Sequence, residues 1–171
     1  MPLRPKPWLA EVSPAAHGGP NAGELAALGL SPEAVVDFSV NINPFGPPPG
    51  VREAVAAAPV AAYPAPEAAG LRRLLASRVG VGMGNLLAGN GATELIRLVA
   101  LCYLSPGDTA LIPQPAFGEY EVACRLAGAA VLKPWAREAD GFVPDVVGLG
   151  ALVRRHRPRV RAGPWRSPAL P

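Results

Sequence analysis

Residues 86–96, LLAGNGATELI, constrain the fold of this chain more than any other stretch. A short apolar run leads into a turn with glycines at positions 89 and 91. Apolar residues at helical spacing follow from Leu95 onward. This order predicts a strand, a tight glycine loop and a helix whose N-terminus the loop delivers into a crevice.

The N-terminus of that predicted helix suits an anion. Free backbone N–H groups and the positive end of the helix dipole favour negative charge there, most naturally a phosphate. Thr93 would add a hydroxyl donor, and Gly91 would let a ligand approach the backbone closely. Short glycine motifs also occur as plain connections. The stretch therefore leaves two alternatives open, a phosphate site or a turn with no ligand.

The length of 171 residues predicts one domain. Charge is distributed unevenly along the chain. Residues 154–171 hold six arginines and no acid, so the preceding body has 10 basic against 13 acidic residues despite the net charge of +3. The basic end lacks the interleaved aromatic residues of a nucleic-acid site, and we predict no nucleic-acid partner. A basic-tailed nucleic-acid binder remains the competing interpretation, and salt-dependent binding would identify it.

Other classes of protein are disfavoured by what the chain lacks. Two cysteines without a CxxC pattern predict neither a disulfide framework nor a zinc site, and two histidines without a carboxylate cluster predict no metal. The apolar runs are too short to span a bilayer, so no membrane partner is predicted. Three prolines in the first seven residues argue against a secretory signal. We therefore expect a cytoplasmic protein.

Strand-like and helix-like segments alternate through most of the chain, which predicts an α/β fold with a mostly parallel sheet. Residues 1–16 look like an extended arm, and the alternation stops near residue 160, where 161–171 is predicted to be coil. The predicted helices are 23–28, 51–58, 66–79, the segment after the glycine loop, 117–126 and 145–155, and the predicted strands are 35–40, 86–88, 109–113 and 129–132.

Phe117 follows the predicted strand 109–113. In open α/β sheets ligands bind beyond the carboxyl ends of the strands, so this ring could stack on a flat heteroaromatic ligand. A phenylalanine that simply belongs to the core is the alternative. Similarly, Asn41 and Asn43 could point amides into a cleft, although asparagine before proline is common in turns.

Taken in order, six motifs resemble the N-terminal half of a fold-type I, pyridoxal-phosphate-dependent enzyme of the class I/II aminotransferase group. The resemblance covers about residues 15–160. It is most similar to the threonine-phosphate decarboxylases of cobalamin biosynthesis, relatives of the histidinol-phosphate aminotransferases. The motifs are HGG (17–19), DFSVNINPFG (37–46), YP (63–64), LAGNGATE (87–94), PAFGEY (115–120) and READG (137–141).

The resemblance implies a set of residues for the cofactor, pyridoxal 5'-phosphate. Gly91, Ala92 and Thr93 would hold its phosphate, in agreement with the anion site argued from the loop. Phe117 would stack on its pyridine ring. Tyr63 would reach the cofactor phosphate of a neighbouring subunit, which implies a homodimer with shared sites.

The resemblance also implies a substrate, a small phosphorylated amino acid. His17, Gly18 and Asn41 would help to bind it. The FSxNINP form with an upstream HGG favours a lyase, the decarboxylation of L-threonine O-3-phosphate to (R)-1-aminopropan-2-ol O-2-phosphate. The alternative is a histidinol-phosphate-type aminotransferase, whose pattern usually carries a glutamate between the asparagines. A remnant that binds no cofactor is a further alternative.

The family's later elements are not matched. The resemblance implies a lysine that forms a Schiff base with the cofactor, but Lys6 and Lys133, the two lysines of the chain, lie outside any matching motif. No catalytic residue is therefore assigned, and we expect the chain by itself to be an inactive fragment. The resulting expectation is a truncated fold-type I large domain at 21–160, an arm at 1–20 and an unstructured, frameshifted tail at 161–171.

Overall fold

The computed structural model describes residues 3–163. Within that range it contains six α-helices and three short strands. None of these helices is long and apolar enough to cross a membrane. In chain order the elements are α1 (Ala22–Ala27), α2 (Val51–Ala56), α3 (Ala69–Val79), α4 (Gly91–Tyr103), β1 (Thr109–Leu111), α5 (Glu119–Leu126), β2 (Ala130–Leu132), α6 (Val146–His156) and β3 (Val160–Arg161).

The chain divides into two compact units. The sheet unit takes in the N-terminal residues through Ala15 and the chain from Leu71 onward, and the small unit is Ala16–Gly70. The small unit contains α1 and α2, whereas α3 runs across the boundary. The division by contacts does not coincide with the predicted segments 1–20, 21–160 and 161–171, which stay a prediction.

The sheet unit is built on three parallel strands in the order β2-β1-β3. In register, Ala110 lies opposite Val131 on one side and Val160 on the other. Helix α5 connects β1 to β2, and helix α6 connects β2 to β3. The two connections leave in opposite directions across the sheet, which makes the carboxyl end of β1 a switch point of the kind where α/β proteins bind ligands. The predicted α/β fold with a parallel sheet is confirmed.

Small residues bring α4 and α5 close to the central strand. Ala100 of α4, Ala110 of β1 and Ala123 of α5 belong to one buried cluster. Parallel strands covered by helices are buried and apolar, and short side chains let the helix backbones approach them. Ile112, fully buried just after β1, is the largest completely enclosed side chain of the described residues.

The N-terminal arm is partly ordered as a 3-10 turn, Pro7–Glu11, so the prediction of a wholly extended arm is wrong. The indole Nε1 of Trp8 donates to the Leu126 carbonyl oxygen, 3.2 Å away. A Cβ on Gly128 would lie 3.0 Å from the Trp8 ring. The arm is therefore anchored beside the end of α5.

Three local predictions need correction. Residues 86–88 and 35–40 form no strand in the structure, although Leu86 is extended. A strand needs a neighbour to take up its backbone hydrogen bonds, and no described strand pairs with either segment. In the second segment Asp37 also bends the chain, because its carboxylate accepts from the Ser39 backbone. Arg161, predicted to be coil, pairs in β3, while the rest of the predicted tail beyond residue 163 lies outside the described residues.

Candidate functional site

The predicted glycine loop is present at the start of α4. Gly91 has a φ of +79°, a left-handed conformation that glycine adopts without strain. Its N–H donates to the Gly89 carbonyl oxygen at 2.9 Å, closing a tight turn. The helix follows directly, as predicted, because the turn is succeeded by good helix formers with an apolar stripe.

Glu94 reaches back from the first turn of α4 onto this loop. Its Oε2 accepts hydrogen bonds from the Asn90 backbone N–H and from Asn90 Nδ2, the latter at 3.2 Å. A Cβ on Gly89 would lie 2.9 Å from that same oxygen and 2.8 Å from Leu95 Cδ2. A side chain at position 89 would therefore displace the Glu94 carboxylate from the place it occupies here.

These contacts decide which loop donors an anion can use. The N–H groups of Asn90 and Gly91 are engaged within the loop. Ala92 and Thr93 are the second and third residues of the helix, and N–H groups at those positions have no acceptor one turn earlier. With the Thr93 hydroxyl, they form a set of donors at the positive end of a 13-residue helix, which fits a phosphate.

A second segment, which leads from β1 to α5, holds Phe117. It is fixed through Gln114, whose N–H donates to the Pro134 carbonyl at 2.8 Å and whose carbonyl accepts from Ala136 at 2.8 Å. The side-chain Oε1 of Gln114 also accepts from the Ala116 N–H at 3.2 Å. Phe117 itself is 45% exposed, so the core interpretation of this ring is wrong.

An ion pair connects the two segments. Arg97 Nη2 lies 2.9 Å from Glu119 Oε2. Arg97 is one turn after Thr93 on α4, and Glu119 is two residues after Phe117 at the start of α5. Glu119 is almost fully buried, and a buried carboxylate requires such a partner. The pair therefore ties the first half of α4 to the segment that presents the Phe117 ring.

The Phe117 ring packs against the Tyr120 ring. The two rings are nearly perpendicular, at 88°, with their centroids 6.1 Å apart. This edge-to-face contact restricts rotation of the Phe117 ring. It orients an exposed aromatic side chain beyond the carboxyl end of β1.

The remaining predicted residues lie in the small unit. Gly18 packs tightly on Ser39, because a Cβ at position 18 would lie 2.1 Å from the Ser39 carbonyl oxygen. Gly19 donates to Ser39 Oγ at 2.8 Å. The structure thus brings the predicted HGG and FSxNINP motifs together. Asn41 is exposed two residues further along.

Of the other predicted small-unit residues, His17 is exposed and Tyr63 is fully exposed. Two serine contacts hold Asp37 in its charged form: hydrogen bonds from the Ser39 hydroxyl and the Ser39 N–H lower the pKa of this carboxyl. The small unit therefore presents polar groups beside the two packed motifs. The site roles of His17, Gly18, Asn41 and Tyr63 stay predictions.

Both lysines have structural partners. Lys133 Nζ lies 3.0 Å from Glu121 Oε2, and Lys6 Nζ lies 5.4 Å from the centre of the Trp8 ring. Nothing in these contacts points to covalent chemistry at either amine. Between residues 3 and 163, no three His, Cys, Asp or Glu side chains come close enough together to hold a metal ion.

Sequence reasoning assigned no role to three residues that organise this site: Glu94, Arg97 and Glu119. A signal existed for Glu94, since an acid in the first turn that bonds back to the residue before the helix is a known capping pattern. No comparable signal existed for the other two, because Arg97 and Glu119 are 22 residues apart and meet only when α4 packs on α5.

Comparison with known proteins identifies the family to which these residues belong. Residues 33–161 match the family model described as aminotransferase class I and II. The histidinol-phosphate aminotransferase of Nicotiana tabacum is 38% identical over 155 residues, which are 90% of this chain and 37% of that protein. Histidinol-phosphate aminotransferase 2 of Pseudomonas aeruginosa is 32% identical over 167 residues, 94% of this chain and 45% of that protein.

The fold agrees with that match. The crystal structure of an aspartate aminotransferase from Thermotoga maritima superposes with a TM-score of 0.66 over 86% of this chain and 42% of its own, at 20% identity. This chain therefore spans about two fifths of the length of the proteins it matches. Homologues in the family depend on pyridoxal phosphate. The chain belongs to the class I and II aminotransferase family, and its fold is that of the fold-type I enzymes.

Proposed function

We propose that this chain forms the cofactor-phosphate and ring-stacking part of a pyridoxal-phosphate-dependent aminotransferase of the histidinol-phosphate type. The observation that carries the proposal is the loop at the start of α4, where Gly91 turns the backbone and Ala92 and Thr93 present donors. The two relatives reported above match nine-tenths or more of this chain at 38% and 32% identity and carry that name.

The decarboxylase interpretation receives less support. It depends on the HGG and FSxNINP motifs, which pack together around Gly18 and Ser39. That packing shapes the backbone but does not by itself select the reaction at the substrate. The sequence relatives favour transamination, and we propose a small phosphorylated substrate with a primary amine, and a homodimer, on the same basis.

In this proposal the chain's own residues bind the cofactor and orient it. The amides of Ala92 and Thr93 and the Thr93 hydroxyl hold the phosphate at the positive end of α4. The exposed Phe117 ring would stack on the pyridine ring. When bound, pyridoxal phosphate supplies an electron sink for the bond broken at the substrate's α-carbon. Neither Lys6 nor Lys133 is assigned a role in that step.

Two alanine variants test the orientation of the cofactor. Thr93→Ala removes one hydrogen bond to a charged group and is expected to weaken pyridoxal 5'-phosphate binding roughly tenfold. It should leave binding of pyridoxal, which has no phosphate, almost unchanged. Phe117→Ala should weaken both ligands to a similar degree, because it removes the stacking surface. Titration of each variant, followed by NMR, measures the four affinities.

The result for Thr93→Ala also tests whether the cofactor phosphate binds at this loop. An equal response of both ligands to Thr93→Ala would show that the threonine is structural and that the phosphate lies elsewhere. Glu138→Gln, an exposed change outside the site, is the matched control and should affect neither ligand.

A chimaera tests the reaction type. The 155 residues of the tobacco enzyme that match this chain are replaced by their counterparts here, and the purified protein is assayed with histidinol phosphate and with threonine phosphate. We expect transamination of histidinol phosphate and no release of CO₂ from threonine phosphate. The intact tobacco enzyme is the control. Decarboxylation by the chimaera without transamination would contradict the proposal.

A further inference from the structure

We propose that Glu94 is a positioning residue for the cofactor phosphate: its carboxylate shapes the glycine loop while its charge limits how tightly the loop binds an anion. The inference rests on the proposed function, because it concerns the same phosphate site. It assigns two opposing effects to one side chain, and these effects can be separated by substitution.

The shaping effect follows from the contacts of one oxygen. Glu94 Oε2 accepts from both the backbone and the side-chain nitrogen of Asn90. Two donors from one residue fix the Asn90 peptide and side chain together. The next residue, Gly91, then turns back so that its N–H meets the Gly89 carbonyl oxygen. The carboxylate thus closes a compact ring of contacts immediately before the helix.

This ring determines the direction of the donors that follow it. With the N–H groups of Asn90 and Gly91 used internally, the loop offers an anion the amides of Ala92 and Thr93. Loss of the Glu94 contacts would free the Asn90 N–H and loosen the turn that sets where α4 begins. The phosphate would then meet a less ordered set of donors, and its binding would cost more conformational entropy.

The space around Gly89 is consistent with the same conclusion. A Cβ at this position would collide with Glu94 Oε2 at 2.9 Å and with Leu95 Cδ2 at 2.8 Å. The φ of Gly89 is not in the left-handed region, so backbone conformation alone does not require a glycine there. A Cβ at position 89 would instead have to push aside the ends of the Glu94 and Leu95 side chains.

The charge effect follows from the position of Glu94 in the first turn of α4. A carboxylate near a helix N-terminus is favoured by the dipole, but so is the phosphate, and both occupy the first turn of α4. Two negative groups at one helix end repel each other. The Glu94 charge therefore opposes the phosphate, while the geometry that Glu94 imposes assists it.

Three substitutions separate shape from charge. Glu94→Gln keeps an oxygen that can accept from Asn90 and removes the charge. Glu94→Asp keeps the charge but shortens the reach by one methylene. Glu94→Ala removes both. Each 15N-labelled variant of the 171-residue chain is titrated with pyridoxal 5'-phosphate at low and high KCl, with the Ala92 and Thr93 amide shifts as the readout. Hydrogen exchange of the Asn90 amide reports the loop itself.

We expect Glu94→Gln to keep Asn90 protected and to bind roughly two- to fivefold more tightly than the parent chain, a gain that shrinks in high salt. Glu94→Ala and Glu94→Asp should both lose the protection. Glu94→Asp, which keeps the charge, should bind roughly five- to tenfold more weakly than the parent chain. Glu94→Ala, which also loses the opposing charge, should bind roughly two- to fivefold more tightly than Glu94→Asp. Gly89→Ala should behave like Glu94→Asp, because its Cβ displaces the carboxylate while the charge stays. Glu138→Gln, which removes one exposed charge, controls for net charge and should leave the affinity unchanged.

The outcomes distinguish this inference from the proposed function. Binding by the parent chain, combined with unchanged affinity in Glu94→Asp or with no gain in Glu94→Gln, would overturn the role of Glu94 alone. Absence of any shift at Ala92 and Thr93 in the parent chain would overturn the phosphate site and the role of Glu94 together. A gain in Glu94→Gln that persists at high salt would show that charge repulsion is not its cause.

Discussion

Gly91→Val is expected to abolish measurable binding of pyridoxal 5'-phosphate, with a loss of roughly a hundredfold or more. Gly91 has a φ of +79°, and a β-branched side chain in that region costs about 1–3 kcal/mol of backbone strain. The free loop can relax to relieve this strain, but binding must restore the strained conformation. Because a tenfold change in affinity corresponds to about 1.4 kcal/mol, the upper end of that range by itself approaches the stated loss. The valine methyl groups would in addition stand where the phosphate approaches the backbone.

The experiment compares NMR titrations of Gly91→Val and Gly84→Val. Position 84 has no positive φ, and a Cβ there meets nothing within 4 Å, so Gly84→Val should bind like the parent chain. The thermal midpoint of each variant is measured alongside. Retained binding in Gly91→Val would contradict the assignment of this loop to the phosphate, since neither the strain nor the obstruction would then matter.

Ile112→Ala is expected to lower the free energy of unfolding by about 2–5 kcal/mol. Ile112 has no solvent exposure, and it belongs to the buried cluster between the sheet and helices α4 and α5. Removing three carbon atoms there leaves a cavity that close-packed neighbours fill only in part. Because domain stabilities are only about 5–15 kcal/mol, the change should shift the denaturation midpoint strongly.

Urea unfolding of Ile112→Ala is compared with that of Ile42→Ala. Ile42 is 75% exposed, so the same chemical change there should alter the free energy of unfolding by no more than about 0.5 kcal/mol. Equal destabilisation by the two variants would show that the sheet does not form the packed centre described above. A loss of Ala92 and Thr93 ligand shifts in Ile112→Ala would further indicate that the anion loop depends on the core beneath α4.

Several features could be predicted from the sequence because they depend on neighbouring residues. The start of α4 after the glycine loop needs only the turn residues and the apolar stripe that follows them. The cap of α1 is equally local, since Asn21 accepts from Gly23 and Glu24 three residues away or fewer. The order of motifs likewise identified the family, because motif order is a property of the linear sequence.

The strand predictions show where this reasoning fails. The apolar residues at 35–40 and 86–88 fit the pattern of a strand, yet no described strand pairs with either segment. Conversely, Arg161 lies in a segment with no apolar pattern, and its pairing with Leu111 in β3 makes it part of the sheet. A helix satisfies its own backbone, whereas a strand depends on a partner that sequence pattern does not reveal.

The reaction is a different case. The FSxNINP and HGG motifs favoured a decarboxylase, while the sequence relatives support the aminotransferase alternative better. Both reactions use the same cofactor and begin at the same α-carbon. They differ in the substrate and in which bond at that carbon is broken, which short motifs on one part of the chain do not specify.

The sequence by itself determined the α/β class, the glycine loop with its helix, and membership of the class I and II aminotransferase family. Tertiary structure alone decided that Phe117 is exposed and that Arg97 meets Glu119 across two helices. The physical reason is how far apart in the sequence the contacting residues lie. Turns and helices are set by contacts within about four residues, whereas exposure and buried ion pairs depend on which distant segments pack together.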